Sequence, residues 1–565
     1  MYRRNSIFGS SNQRKEVQKR TWTIMSVFIL LFCFFIWKIT NYMYFKAEPL
    51  KTMANAQYTI EEKYGSQYSL TDCKGMPLLD YAINYYAIID PVDYLRFNEY
   101  TSKYDLQALA ITLRSFNSDY DLEKIKSSGN GQKIRYKIDS DTYDKLKDIK
   151  SVKGFYIYAA NDVMAGRVWK IENLISNPKY YKEGVKDPIF KSDSSIEMQI
   201  YNKTKNNEFT KIKFVKGIDG EISEGKIIEP ENNVNVRLTL DKEIQDSALD
   251  ILHSDKYKKY DQIGIILMES KNGKIRAMAQ KDDSTYNANL GIPTTNGAFP
   301  GSIFKVVVEE AGLDMNLIDK NEIFPLNRTY FPKAHETLIK QYTLGEALTY
   351  SSNNTFAQIG RRVGLKNMYN YAEKQGLFRK VLNFQQEDIG TFGVDVSTSD
   401  PGEKSHTAIG QKTRITPLEA ISIPNTIINN GIYVQPSIID AYVNDNNQII
   451  EEFTSETTRV LKRETAETVK LHMMNVVKKG TGTEAYIKDM SIGGKTGTTE
   501  YYVNGKEYSD GWFVGFFNLR GKSYSMVVFV EHIELSKEEG LNSQGGGDTA
   551  APIFKEVVNA LKAID

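Results

Sequence analysis

The chain has 565 residues, with 72 Lys and Arg against 71 Asp and Glu, 41% hydrophobic and 25% charged residues. That is an ordinary globular mixture, long enough for roughly three to five domain-sized units. It excludes wholesale disorder, and the near-neutral balance gives no whole-chain basicity suited to nucleic acid. Cys33 and Cys73 are the two cysteines, and Cys33 falls in an apolar run, so neither a disulfide framework nor a Cys-based zinc site is expected. The five histidines, His253, His335, His406, His472 and His532, form no H-E-x-x-H motif. No metal and no organic cofactor is implied.

Trp22 to Trp37 reads WTIMSVFILLFCFFIW without a charge, and extension to Phe45 admits only Lys38. About 20 apolar residues cross a bilayer as a helix, Lys38 can snorkel to the interface, and aromatic residues flank both ends. Arg3, Arg4, Arg14, Lys15, Lys19 and Arg20 precede the run, which favours a cytoplasmic N-terminus. No A-x-A-like cleavage site follows at 40–45, so an uncleaved anchor is expected rather than a signal peptide. The expected division is a cytoplasmic tail at 1–21, a single transmembrane anchor at 22–45, an N-terminal domain at 46–232 and a C-terminal domain at 233–565.

Residues 46–232 are polar and tyrosine-rich, with strand-like runs at Asn84–Asp90 and Gly154–Ala159 and a helical run at Asp105–Phe116. They predict an α+β fold with a loose core. Asn235 to Leu240 alternates as a strand does, and Asp241 can cap a helix whose apolar face is Ile244, Ala248, Ile251 and Leu252. Ile263–Met268 and Ile275–Ala279 flank Asn272-Gly273, a type I′ hairpin signal. Trp512–Phe517 and Tyr524–Val530 predict a second hairpin. Helices are expected over Ile303–Leu313, Leu344–Val363, Pro417–Asn430 and Arg463–Val477, and a last one begins around Pro552. The run Gly545-Gly546-Gly547 reads as a hinge before it. Together these predict an antiparallel sheet whose strands come from both ends of the C-terminal domain, flanked by helices.

Three short motifs carry candidate chemistry. Pro300-Gly301-Ser302-Ile303-Phe304-Lys305 contains S-x-x-K, which puts a hydroxyl and an amine one helical turn apart. A neutral lysine there can take the serine's proton. Ser176–Lys179 and Ser223–Lys226 repeat the spacing, but Pro178 and Gly225 spoil their helical turns. Ser351-Ser352-Asn353, placed on a helix, offers a proton-relaying hydroxyl and an amide that can hold a carbonyl. Gly493-Gly494-Lys495-Thr496-Gly497-Thr498 is a glycine-flanked strand whose lysine and hydroxyls can grip a carboxylate. Alone, each has an ordinary structural reading: a serine at a helix start, a capping cluster, a glycine-rich loop. In this order they form a known signature set.

On these residues the stretch 233–565 resembles the transpeptidase domain of class B penicillin-binding proteins. Supporting segments are NVRLTLDKEIQ (235–245), GIILMESKNGKIRAMA (264–279), AIGQKTRITPLEA (408–420), GTGTEA (480–485) and DGWFVGFF (510–517). Lys412 stands where relatives carry a glycine. LTDCKGMPLLDY (70–81) and YYAIIDP (85–91) keep only the outline of the family's post-anchor R-G-x-x-x-D-R-N-G signature.

The resemblance implies an elongated N-terminal α+β pedestal, or dimerisation-like, domain. It implies a peptidoglycan DD-transpeptidase on the outer face of the membrane. Ser302 would attack the D-Ala–D-Ala donor stem peptide, with Lys305 as base, and an amine acceptor would complete the cross-link. Ser351 and Asn353 would assist, and Lys495, Thr496, Gly497 and Thr498 would bind substrate. Backbone N–H groups of Ser302 and Thr498 would form the oxyanion hole. β-Lactams would be covalent inhibitors. A separate glycosyltransferase and divisome or elongation proteins would be partners. Alternatives with the same motifs are a D,D-carboxypeptidase or a β-lactamase, and a non-catalytic scaffold is the structural alternative.

Overall fold

The computed structural model describes residues 11–46, 58–63, 65–125, 132–164, 169–181, 184–223, 225–291, 296–327, 330–331, 336–535 and 545–564. Arg3, Arg4 and His335 lie outside them. A helix over Ser11–Thr40 continues into a π turn at Asn41–Phe45. The helical span Arg14–Tyr44 contains a stretch apolar and long enough to cross a membrane, with mean hydropathy 2.1 in that stretch and none of it buried in protein. This agrees with a single-pass anchor.

The chain forms two compact units. The first comprises 1–65, 83–162 and 209–229, and the second 66–82, 163–208 and 230–565. The stretch 46–232 is therefore shared between them. In the first unit, one antiparallel sheet joins Tyr58–Glu62, Lys211–Val215 and Lys226–Ile228, and another orders Ile134–Ile138, Tyr81–Ile89 and Phe155–Val163. Buried Glu61 ties the two, accepting from Arg135 Nη2 at 2.6 Å and Tyr156 Oη at 2.5 Å. The expected helix is there, over Lys103–Phe116.

In the second unit the relevant elements, in chain order, are α1 (Lys242–Leu252), β1 (Gln262–Glu269), β2 (Lys274–Gln280), α2 (Phe304–Asp314), α3 (Leu344–Thr349), α4 (Asn353–Val363), α5 (Pro401–Ala408), α6 (Arg463–Lys479), β3 (Ile492–Val503), β4 (Lys506–Leu519), β5 (Lys522–Glu534) and α7 (Ala550–Ala563). The sheet order is β2-β1-β5-β4-β3, all antiparallel, with β3 at an edge. The expected sheet built from both ends of the domain is thus present. Asp241 caps α1 as expected, accepting from Glu243 N–H at 3.2 Å.

Period-two alternation fixes the register. Trp512, Val514 and Phe516 of β4 point to the core shared with α2 and α6, while Phe513 and Phe517 point to the core shared with α1 and α7. Phe554 of α7 meets the Phe513 ring edge-on at 4.7 Å.

Three local expectations change. The β1–β2 hairpin is present, but only Gly273 is left-handed (φ +73°), so Asn272-Gly273 is not a type I′ turn. Type I′ geometry occurs instead at Asn504-Gly505 and Arg520-Gly521, where both central residues have positive φ. The single helix expected over 344–363 is two, α3 and α4, because Ser351 is left-handed at φ +57°. Ser352 caps α4 by accepting from Thr355 N–H at 3.2 Å. Pro417–Asn430 likewise divides into Pro417–Ala420 and Ser422–Ile428.

Candidate active site

Ser302 lies in a 3₁₀ turn, Gly301–Ile303, that leads into α2. The turn is pressed between β3 and the loop after α5. Gly301 has φ +52°, and a Cβ there would sit 2.6 Å from the Thr498 carbonyl oxygen. Its N–H donates to Gly410 O at 3.2 Å. A Cβ at Gly497 would stand 2.6 Å from Pro300 O, so the glycine of K-T-G permits this close approach. Trp512 Nε1 donates to Phe299 O at 3.0 Å and anchors the segment just before the turn.

Lys305, one turn on along α2, is fully buried. Its Nζ donates to Ser351 O at 2.7 Å, Ser351 Oγ at 3.2 Å and Asn353 Oδ1 at 2.6 Å. The break between α3 and α4 makes this possible. With Ser351 left-handed, its hydroxyl and carbonyl both face the lysine, and Asn353 opens the next helix beside it. Backbone strain of this kind is typical of sites where surrounding structure fixes a functional group.

Lys495 on β3 is also fully buried. Its Nζ donates to Ser351 Oγ at 2.9 Å and to Thr496 O at 2.9 Å. Thr496 Oγ1 pairs with Thr481 Oγ1 at 2.7 Å. Thr498 Oγ1 accepts from Gly546 N–H at 3.3 Å.

These side chains border one cleft of about 760 Å³, lined by Ser302, Ser351, Asn353, Thr496 and Thr498 among others. The buried Lys305 and Lys495 amines stand behind it, and Gly497 packs beneath the serine turn. The structure thus brings together all of the sequence-predicted residues.

It also adds some. Thr481, Gln411, Glu500, Gly545 and Asp548 line the same cleft. Thr481 and Gln411 fall in segments that carry the family resemblance, which is the signal that could have found them. The glycine run is more than a hinge: Gly546 N–H also donates to Gly497 O at 3.2 Å, and a Cβ there would be 2.0 Å from Trp512 O. This segment forms a wall of the cleft.

Next to the site, burial raises the Asp510 carboxyl above its ordinary range, against the His532 N–H and Tyr501 hydroxyl that donate to it. Burial pushes Glu531 up to about 7, against the Tyr286 hydroxyl that donates to it at 2.7 Å. Among the described residues, no group of three or more His, Cys, Asp or Glu side chains is placed to hold a metal ion.

The family description "Penicillin binding protein transpeptidase domain" matches residues 263–559. The chain belongs to this family. The penicillin-binding transpeptidase assignment agrees with the class B resemblance of its motifs. Stage V sporulation protein D of Bacillus subtilis (strain 168) is 25% identical over 353 residues, 58% of this chain and 53% of that protein. Penicillin-binding protein PbpB of Mycolicibacterium smegmatis is 24% identical over 387 residues, 62% of this chain and 58% of that protein. The chain thus spans little more than half the length of these relatives. A crystal structure of a peptidoglycan synthetase from Bifidobacterium adolescentis has the same fold, with a TM-score of 0.61 at 19% identity over 89% of this chain and 96% of that one.

Proposed function

We propose that the chain is a peptidoglycan D,D-transpeptidase that works through an acyl-enzyme on Ser302. The observation that carries this reading is the convergence of Ser302, Lys305, Ser351 and Lys495 on one cleft. Burial and a second ammonium nearby both disfavour the charged form of an amine. A neutral Lys305 takes the Ser302 proton as Oγ attacks the carbonyl of the penultimate D-Ala. The C–N bond to the last D-Ala breaks, and the leaving amine receives the proton, relayed through Ser351 Oγ. An acceptor amine then attacks the ester, forms the new amide, and returns Ser302 to its hydroxyl.

Backbone N–H groups of Ser302 and Thr498 serve as the oxyanion hole, since preorganised donors act where charge develops. Thr496, Thr498 and Lys495 bind the terminal carboxylate. The edge position of β3 supports a donor peptide lying along it as an added strand. Arg14, Lys15, Lys19 and Arg20, in the first turns of the helix ahead of its apolar run, favour a cytoplasmic N-terminus and an outer-face catalytic domain. β-Lactams acylate Ser302 in this reading.

The test is product analysis with a stem peptide ending in D-Ala–D-Ala and an amine acceptor. Cross-linked peptide with stoichiometric release of D-Ala is expected. Release of D-Ala without cross-linking would identify a D,D-carboxypeptidase instead. Rapid β-lactam hydrolysis with neither product would identify a β-lactamase.

A further inference from the structure

Several polar side chains of the cleft have no part in the chemistry above, Gln411 among them. Gln411 lines the cleft with Ser302, Asn353 and Thr498. It follows Gly410, which has φ +78° and lies directly on the nucleophile turn. A Cβ at Gly410 would stand 2.1 Å from Gly301 O, and Gly301 N–H already donates to Gly410 O. Gln411 is therefore set in position by the same backbone contact that seats Ser302.

Its side chain is held as well. His406 Nδ1 lies 2.9 Å from Gln411 Oε1. An amide oxygen only accepts, so the imidazole carries its proton on Nδ1 in this contact. Gln411 N–H returns to His406 O at 3.0 Å, closing the loop on the end of α5. The Phe331 ring meets the imidazole edge-on, with centroids 4.6 Å apart at 83°. Lys412, the departure from the family pattern, makes a second tie from this loop to α5 through Glu403 at 3.2 Å. With the amide oxygen engaged by His406, the two N–H donors of Gln411 are at its other end. A peptide bound in the cleft supplies backbone carbonyls, which are matching acceptors.

We propose that Gln411 binds substrate by donating an N–H to a backbone carbonyl of the stem peptide, and that His406 is a positioning residue that fixes the amide in this orientation. The inference rests on the transpeptidase reading and names a specificity contact within it.

A double-mutant cycle on the full chain tests it, reading kcat and KM for D-Ala release from a D-Ala–D-Ala-terminated stem peptide. Gln411→Ala is expected to raise KM roughly fivefold, the scale of one lost hydrogen bond, with kcat changed by less than about twofold. His406→Ala raises KM by less, and His406→Asn, whose amide can donate to the same oxygen, restores it. Once Gln411 is alanine, His406→Ala adds nothing further. Additive effects, an unchanged KM in Gln411→Ala, or a fall in kcat alone would overturn the proposal. So would a loss of thermal stability shared by all the variants together with lost penicillin acylation, since that marks a structural role. Wild-type protein that releases no D-Ala would instead refute the transpeptidase reading itself, and the inference with it.

Discussion

Lys305 and Lys495 donate to the same oxygen, Ser351 Oγ, at 3.2 and 2.9 Å. They come from different elements, α2 and β3, and both are fully buried. The hydroxyl between them is held by the left-handed residue that separates α3 from α4. The arrangement makes Ser351 a junction through which a proton can pass, and it sets Lys495 beside the amine that must be neutral to act as a base.

Lys305→Ala removes the proposed base. The expected result is a fall in the Ser302 acylation rate of about 10²–10⁴-fold, the usual worth of a positioned general base. Stopped-flow acylation by a chromogenic β-lactam over a range of concentrations measures it. The loss should appear in the acylation step rather than in binding. An unchanged acylation rate would remove Lys305 from the mechanism.

Gly546→Ala tests the wall of the cleft. The new Cβ would meet Trp512 O at 2.0 Å and Gly497 O at 2.6 Å, both backbone atoms. Relief requires the 545–547 segment to lift from β3, taking with it the donor to Thr498 Oγ1. Overpacking of this kind costs on the order of 1–3 kcal/mol. A lower Tm and slower acylation are expected together, and wild-type values of both would show that the segment is loosely seated.

Much of this site was legible in the sequence, because S-x-x-K, S-x-N and K-T-G place functional groups at fixed short spacings. The left-handed Ser351 was not legible. Leu344 to Val363 reads as one helical run, and although Ser352 has the chemistry of the cap it proves to be, no local pattern says that Ser351 turns left-handed to face two lysines. The role of Gly545–Gly547 was hidden for a related reason. A glycine run looks the same whether it serves as a hinge or allows close approach to a strand far away in sequence. The division of 46–232 between two units was also hidden, since Leu70–Thr71 pairs in parallel with Asn235–Leu238 through a contact no local pattern signals.

Glu531 gives a pH prediction. Its folded pKa of about 7 lies above the ordinary 4.5, because burial favours the neutral acid. The folded state therefore holds a proton that the unfolded state releases. The resulting stability is fully present below pH 4.5 and is lost as pH rises through about 7. Glu531→Gln keeps an acceptor for the Tyr286 hydroxyl and abolishes that titration. The variant should show a smaller decline in Tm between these pH values than wild type does, and identical slopes would show that Glu531 titrates normally.

The most direct test of the account is intact-mass spectrometry of the protein after incubation with a penicillin, beside Ser302→Ala. A persistent adduct of one drug molecule on wild type, absent from the variant, is the predicted result. An adduct retained in Ser302→Ala would contradict the assignment of Ser302 as the acylated nucleophile.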